Sequence, residues 1–244
     1  MIGTWITLSD PAVSDIFNWM ALDFVVVDMQ HSMMSDNDMQ NHIRNLFDRD
    51  HYDLGWVRVR SNTAPEIGRA LDAGAVGVIV PQVMTPDDAK RAVMYSRGPV
   101  RSTGLWRSRM YGMLRDDLQG KVIVQIEHID AVGNLDRIMA VEGVDGFLIG
   151  PYDLSASITR GGHFTSDEYL DAMNRVDAWV ANNSENKYCG IHIPKPEDLI
   201  EMLHAKEKGY NFLAVGMDTT FLSQAVKFYT DEVRKHERSD SNGS

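Results

Sequence analysis

The 244-residue sequence predicts a single α/β domain with the architecture of a (β/α)8 TIM barrel, on three observations. Apolar runs rich in β-branched residues recur about every 25 to 30 positions, each followed by an amphipathic stretch. Eight such runs can be counted, and most are continuously apolar instead of alternating, which is the pattern of parallel strands covered on both faces. No Gly-x-Gly-x-x-Gly turn follows the first run, so a doubly wound open sheet is the weaker alternative.

The predicted strands cover residues 4–8, 24–29, 55–60, 76–83, 122–127, 146–150, 188–193 and 212–216. Helical periodicity with start and stop signals covers 38–47, 64–73, 86–95, 132–141, 167–181, 196–208 and 219–234. Residues 98–115 follow the fourth helix where a short turn would suffice, so this polar and aromatic stretch is expected to be a lid. The barrel is expected to occupy residues 1–238, and the polar residues 239–244 to form a frayed tail.

Composition narrows the partners. With 35 acidic and 24 basic side chains the formal charge is −11, which repels polyanions, and no basic run exceeds a pair such as Arg234-Lys235, so no nucleic acid is expected. No apolar run approaches the ~18 residues that span a bilayer, so no membrane is expected either. The first basic residue is Arg44, too late for the charged start of a signal peptide, and Cys189 alone forms no internal disulfide. A cytoplasmic protein is the expectation.

In a barrel of this kind the chemistry sits at the C-terminal rim of the strands. Polar residues there are Asp28, Gln30 and His31 after strand two, Arg58 and Arg60 at strand three, Gln125 and Glu127 at strand five, and Gly150, Pro151, Tyr152 and Asp153 at strand six. Glu127 and Asp153 are one βα unit apart, so their carboxylates can converge from adjacent strands. Two hard oxygen ligands without a thiolate suit Mg²⁺ or Mn²⁺, with Co²⁺ a further option, and leave coordination positions for a chelating substrate. Solvated rim carboxylates capping helices are the competing reading. His31 and Arg58 are also one unit apart; the imidazole, with Asp28 as one candidate partner, suits a general base, and the guanidinium suits a developing oxyanion. His128, His192 and Cys189 are read as structural, with His128 facing the helix layer. Lys121 precedes strand five and no other strand carries a lysine, which disfavours a Schiff-base aldolase and leaves metal-assisted enolate chemistry.

These residues resemble a known family. Asp28-Met29-Gln30-His31, Val57-Arg58, Leu71-Asp72-Ala73-Gly74-Ala75, Val80-Pro81-Gln82-Val83, Val124-Gln125-Ile126-Glu127, the stretch from Val141 to Ser155 and Ala214 to Thr220 are similar to the HpcH/HpaI aldolases, the metal-dependent class II pyruvate aldolases, over roughly residues 3 to 233. The resemblance implies a carbon–carbon lyase that cleaves or forms a 4-hydroxy-2-oxo acid from pyruvate and an aldehyde through a metal-stabilised enolate. It implies that Glu127 and Asp153 hold the divalent metal, that Gln125 lines the pocket, and that the backbone at Gly150, Pro151, Tyr152 and Asp153 receives the carboxylate. Arg58 would steady the enolate oxygen and His31 would relay the hydroxyl proton through water, with Asp72 of a neighbouring subunit as its supporting acid and Trp5 near the substrate. It further implies homohexamers, trimers of dimers that exchange the last helix, here 219–234. The chain departs from the family pattern at Gln30, where glutamate is usual, and at Met29 and Ser102. A malyl- or citramalyl-CoA lyase, with the arginines of 98–115 gripping phosphate, a tautomerase, decarboxylase or enolate-trapping enzyme using the same metal enolate, and a non-catalytic sugar-acid-binding barrel are the alternatives.

Overall fold

The computed structural model describes residues 1–46, 54–97, 120–159, 163–195 and 199–241. Eight parallel strands, β1 (Ile2–Ile6), β2 (Phe24–Asp28), β3 (Gly55–Arg58), β4 (Gly77–Val80), β5 (Lys121–Ile126), β6 (Gly146–Ile149), β7 (Tyr188–Ile193) and β8 (Phe212–Val215), pair in chain order and close, β8 against β1. The predicted fold class is the observed one. β7 coincides with the apolar run that announces it, β1 and β5 are shifted by two residues and one, and the other five strands are one to four residues shorter because their runs continue into the rim loops.

Alternation divides the strands between two packing layers. Inside the barrel, Trp5, Phe24, Val26, Trp56, Ile79, Ile123, Leu148, Phe212 and Ala214 form one cluster, with the Phe24 and Phe212 rings stacked at 3.7 Å between centroids. The opposite faces, among them Val25, Val27, Val57, Val78, Val124, Phe147, Cys189 and Ile193, pack under the helices. Both faces of β2 are therefore dry, which explains why the sequence reads Phe-Val-Val-Val with no polar alternation.

Ten helices wrap the described barrel: α1 (Ala12–Asn18), α2 (Asp36–Asn45), α3 (Ala64–Asp72), α4 (Pro86–Arg97), α5 (Ile129–Gly133), α6 (Leu135–Met139), α7 (Pro151–Thr159), α8 (Asp167–Asn183), α9 (Leu199–Glu207) and α10 (Asp218–Ser241). Start signals account for several of them. Ser35 and Asp38 close a capping box on α2, and Ser166 caps α8 through the Tyr169 N–H. Helix α3 ends on Gly74 at φ 104°, a left-handed position that releases the chain into β4.

Four differences from the sequence reading stand out. Helices α1 and α7 are absent from the sequence reading, since α1 buries only Ser14 and α7 only Leu154 and Ser155, too little for a periodic apolar stripe. The helix expected over 132–141 is two helices, broken at Asn134, whose side-chain amide donates to the Met84 carbonyl at 3.0 Å. Helix α10 runs on through Ser241, into the expected frayed tail, since nothing from Lys235 to Asp240 breaks a helix. The expected lid at 98–115 lies outside the described residues.

Candidate active site

The inward positions at the C-terminal ends of the strands build one polar cluster above the apolar barrel core. Parity carries it: Asp28 follows Phe24 and Val26 on β2, Arg58 follows Trp56 on β3, and Gln125 and Glu127 follow Ile123 on β5. A cavity of ≈ 40 Å³ opens among them, bordered by Trp5, Arg58, Gln125, Gly150, Asp153 and His192. That is room for an ion and a water or two.

Arg58 is buried and held by Asp28, Nε to Oδ1 at 2.8 Å and Nη2 to Oδ2 at 2.5 Å. Its guanidinium carbon lies 4.5 Å from the centroid of the Trp5 ring, so the charge is fixed from two sides. The fork uses two of the five guanidinium N–H groups and leaves the others for a ligand. Arg60, by contrast, is spent on Asp36, Glu66 and the Met34 carbonyl and serves the α2–α3 surface.

The expected pairing of Asp28 with the His31 ring is not what the structure shows. Asp28 Oδ1 accepts from the backbone N–H groups of Gln30 and His31, at 3.0 and 3.3 Å, while both its oxygens face Arg58. A guanidinium one strand away outcompetes an imidazole for a buried carboxylate because its charge is permanent and its fork matches both oxygens. Asp28 thus anchors the rim loop and orients Arg58. His31 stands exposed at the mouth, and among the described residues its ring has no hydrogen-bond partner.

Glu127 is buried, and its Oε1 accepts from the Gln82 N–H at 2.7 Å. Gln82 adopts φ 57°, a left-handed conformation that a glutamine takes only under constraint, and this turn aims its amide at the carboxylate. Glu127 Oε2 is buried and has no hydrogen-bond partner among the described residues. Burial pushes the Glu127 carboxyl up, against the Gln82 hydrogen bond; the Asp153 charge raises it further, and Arg58 opposes both. Asp153 lies not at a strand end but in the first turn of α7, whose leading N–H groups have no intrahelical acceptor. Gly150 keeps the two elements close: a Cβ there would meet Gln125 Nε2 at 2.8 Å and Glu127 Cβ at 3.3 Å.

The charge balance points to a cation. Asp28 satisfies Arg58, and among the described residues no lysine or arginine bridges Glu127 or Asp153. Two carboxylates that feel each other's charge at the rim, Asp153 on the cavity and Glu127 with an orphaned buried oxygen, fit a hard divalent ion. Among the described residues no group of three or more His, Cys, Asp or Glu forms a closed metal cage, so such an ion would keep open positions.

Asp72 is on the last turn of α3, roughly 12 Å along the helix from the end nearest the rim, and borders a separate cleft with Asp36, Gln40 and Arg69. Within one chain it does not join the cluster. His128 caps α5, its Nδ1 accepting from the Asp130 N–H at 3.1 Å, so it stands at the rim and not in the helix layer. Lys121 is at the opposite, N-terminal end of β5, its Nζ 5.9 Å from the Tyr188 ring centroid. Tyr152 is half exposed at the mouth, its ring edge-on to Phe164. Two residues of the cluster were passed over in the sequence: Gln82, whose backbone N–H holds Glu127, and His192, which borders the cavity. The parity of β7 places His192 with Tyr188 and Gly190 on the inner face, a signal that was available.

A closed parallel barrel with two carboxylates and an arginine at its C-terminal mouth defines a class, a small-molecule enzyme of the (β/α)8 type. The family is then settled by comparison: residues 1–225 match the model of the HpcH/HpaI aldolase/citrate lyase family, and the chain belongs to it. It is 31% identical to the 5-keto-4-deoxy-D-glucarate aldolase of Citrobacter koseri, over 96% of this chain and 92% of that protein. The solved structure of an HpcH/HpaI aldolase/citrate lyase family protein from Burkholderia cenocepacia superposes with a TM-score of 0.83 at 30% identity, covering 96% of this chain and 94% of that one. An HpcH/HpaI aldolase from Desulfitobacterium hafniense shares the fold with a TM-score of 0.84 at 22% identity, over 96% and 92% of the two chains.

Proposed function

We propose that this protein is a divalent-metal-dependent aldolase that cleaves a 4-hydroxy-2-oxo acid into pyruvate, or a close oxo acid, and an aldehyde. The observation that carries it is the uncompensated pair, Glu127 with its partnerless Oε2 beside Asp153, next to an arginine whose charge is already balanced. Glu127 and Asp153 would hold Mg²⁺ or Mn²⁺, with Gln125 bordering the same space. When bound, the ion supplies Lewis acidity toward an oxo-acid carbonyl.

The chain's own groups account for the rest. The α7 N-terminus receives the substrate carboxylate on the N–H groups of Tyr152 and Asp153, which the helix leaves without acceptors. Arg58, with N–H groups to spare, donates to the carbonyl oxygen as negative charge gathers there. His31, at the mouth, takes the C4 hydroxyl proton through a water; the C3–C4 bond breaks, its electrons move onto the C2 carbonyl oxygen, and the aldehyde departs. A proton delivered to C3 then completes the oxo acid. Trp5 pins the guanidinium from below.

The acid supporting His31 is read as Asp72 of a second copy, since Asp72 lies away from the site of its own chain. Helix α10 supports assembly: Phe221 meets Phe17 of α1, whereas Leu222, Val226, Phe228, Tyr229 and Val233 are exposed and suit packing on another subunit. A hexamer built from such dimers would elute from a sizing column at about six times the 27.5 kDa chain mass. The name of the Citrobacter koseri relative makes 5-keto-4-deoxy-D-glucarate the first substrate to test. The deciding experiment is exchange of pyruvate methyl protons into deuterated water, with and without chelator, followed by a panel of 4-hydroxy-2-oxo acids and CoA thioesters. Chelator-sensitive exchange supports the reading; its absence at any divalent metal refutes it.

A further inference from the structure

His192 forms part of the cavity wall, and the reaction as outlined gives it no role. Its ring centroid is 5.3 Å from that of Trp5, which also carries Arg58, so imidazole and guanidinium share the Trp5 platform. One ring nitrogen is committed. The hydrogen bond with the backbone of Gly216 favours protonation, so the ring donates it to a carbonyl. Burial first, and the Arg58 charge second, push the imidazole down to about 4, which keeps it neutral near pH 7. A neutral ring that has spent its single N–H presents a lone pair on the other nitrogen. That atom, Nε2, is buried and meets no donor among the described residues.

An aliphatic side chain on this face would fill the space without leaving an acceptor unpaired, as Leu148 does on the neighbouring strand. The unpaired acceptor therefore asks for a donor that arrives with the ligand. Depth decides which reactant brings it. Arg58, Gln125, His192 and Tyr152 line the cavity, the first two buried and Tyr152 half exposed, so Tyr152 marks the open side; His31 is exposed and is not among the lining residues. The reactant held against Arg58 is the oxo acid, and the aldehyde enters above it.

We propose that His192 Nε2 accepts a hydrogen bond from a hydroxyl that the oxo acid carries on the carbon next to its carbonyl, so that this chain selects hydroxylated oxo acids over pyruvate. The inference rests on the aldolase reading and deepens it by naming the donor class. The methyl group of pyruvate offers no donor and leaves Nε2 desolvated and unpaired; a hydroxymethylene group supplies an O–H. Sites that pair a substrate hydroxyl reject the analogue lacking it far more strongly than apolar pockets discriminate by size.

The test is calorimetric titration of the Mg²⁺-saturated protein with pyruvate and with 3-hydroxypyruvate. Binding of 3-hydroxypyruvate at least about tenfold tighter than pyruvate is expected. His192→Leu should bring the two affinities within about twofold by weakening the hydroxylated acid, and His192→Asn, which keeps an amide oxygen, should retain part of the preference. Equal affinities in the unaltered protein, which needs no variant to fold, overturn the proposal, as does an undiminished preference in His192→Leu. If pyruvate methyl exchange proceeds while the affinities are equal, this inference alone fails. If exchange is absent at every divalent metal, the aldolase reading fails and takes the inference with it.

Discussion

Asp28→Asn separates the two tasks assigned to the buried cluster, holding Arg58 and making the chemistry. The carboxylate is 2% exposed and the guanidinium 9%, and the fork between them closes at 2.8 and 2.5 Å. Asparagine keeps one oxygen, which can still accept from the Gln30 and His31 N–H groups, but it removes the charge and turns one acceptor into a donor facing Nη2. Removing one partner of a buried pair typically destabilises by about 3–5 kcal/mol; the retained oxygen and the Trp5 face place this variant near the lower end, about 3 kcal/mol. Urea unfolding monitored by circular dichroism at pH 7.5 reads that loss. Methyl-proton exchange of pyruvate on the still-folded fraction should fall by about 10² or more, because Arg58 no longer has a fixed aim. A variant within 1 kcal/mol of the parent, turning over at the parental rate, would refute the claim that Asp28 orients the arginine.

Arg58→Met removes the proposed oxyanion donor and should cost about 2.7–4 kcal/mol of transition-state stabilisation, seen as a fall in kcat with little change in metal affinity. Gly150→Ala should leave the fold intact yet reduce turnover by about 10-fold to 100-fold, since the new Cβ, 2.8 Å from Gln125 Nε2 and 3.3 Å from Glu127 Cβ, displaces both side chains; a melting scan beside the rate assay distinguishes this from unfolding. His192 also sets a pH dependence. Its folded value of about 4 lies below the ordinary 6.5, so the unfolded chain binds the proton more readily; the stability is fully present above 6.5 and is lost as pH falls toward 4. The loss from this residue between pH 7.5 and 5 is about 2 kcal/mol, and urea titrations of His192→Leu should lack that increment.

The barrel was legible because two-sided burial leaves a mark on the strands. Val25, Val26 and Val27 are all fully buried, against helices on one side and the barrel centre on the other, and the sequence shows the run directly. The rim residues Arg58, Gln125 and Glu127 followed from polar side chains interrupting such runs. Less legible was what depends on competition or on short segments. Asp28 was read beside His31, and its pairing with Arg58 instead is made by alignment across β2 and β3, where Asp28 and Arg58 are in register. Asp153 read as a strand end because α7 buries only Leu154 and Ser155 and so shows no apolar stripe, and its position in the first turn is what brings the helix N-terminus to the cavity. Gln82 announces nothing in sequence; its role comes from a left-handed backbone that only the closed rim enforces. His192 was legible by parity and passed over because a lone histidine in a strand is ordinarily packing.

The most direct test of the central claim is a Mn²⁺ titration followed by electron paramagnetic resonance on the parent protein, Glu127→Gln and Asp153→Asn. One tight site per chain is expected in the parent, weakening as pH falls through a midpoint above the ordinary glutamate value of 4.5, since burial and the Asp153 charge hold the Glu127 proton more tightly. Each variant should bind at least about 100-fold more weakly and lose pyruvate exchange. Parental Mn²⁺ affinity in both variants would contradict the account.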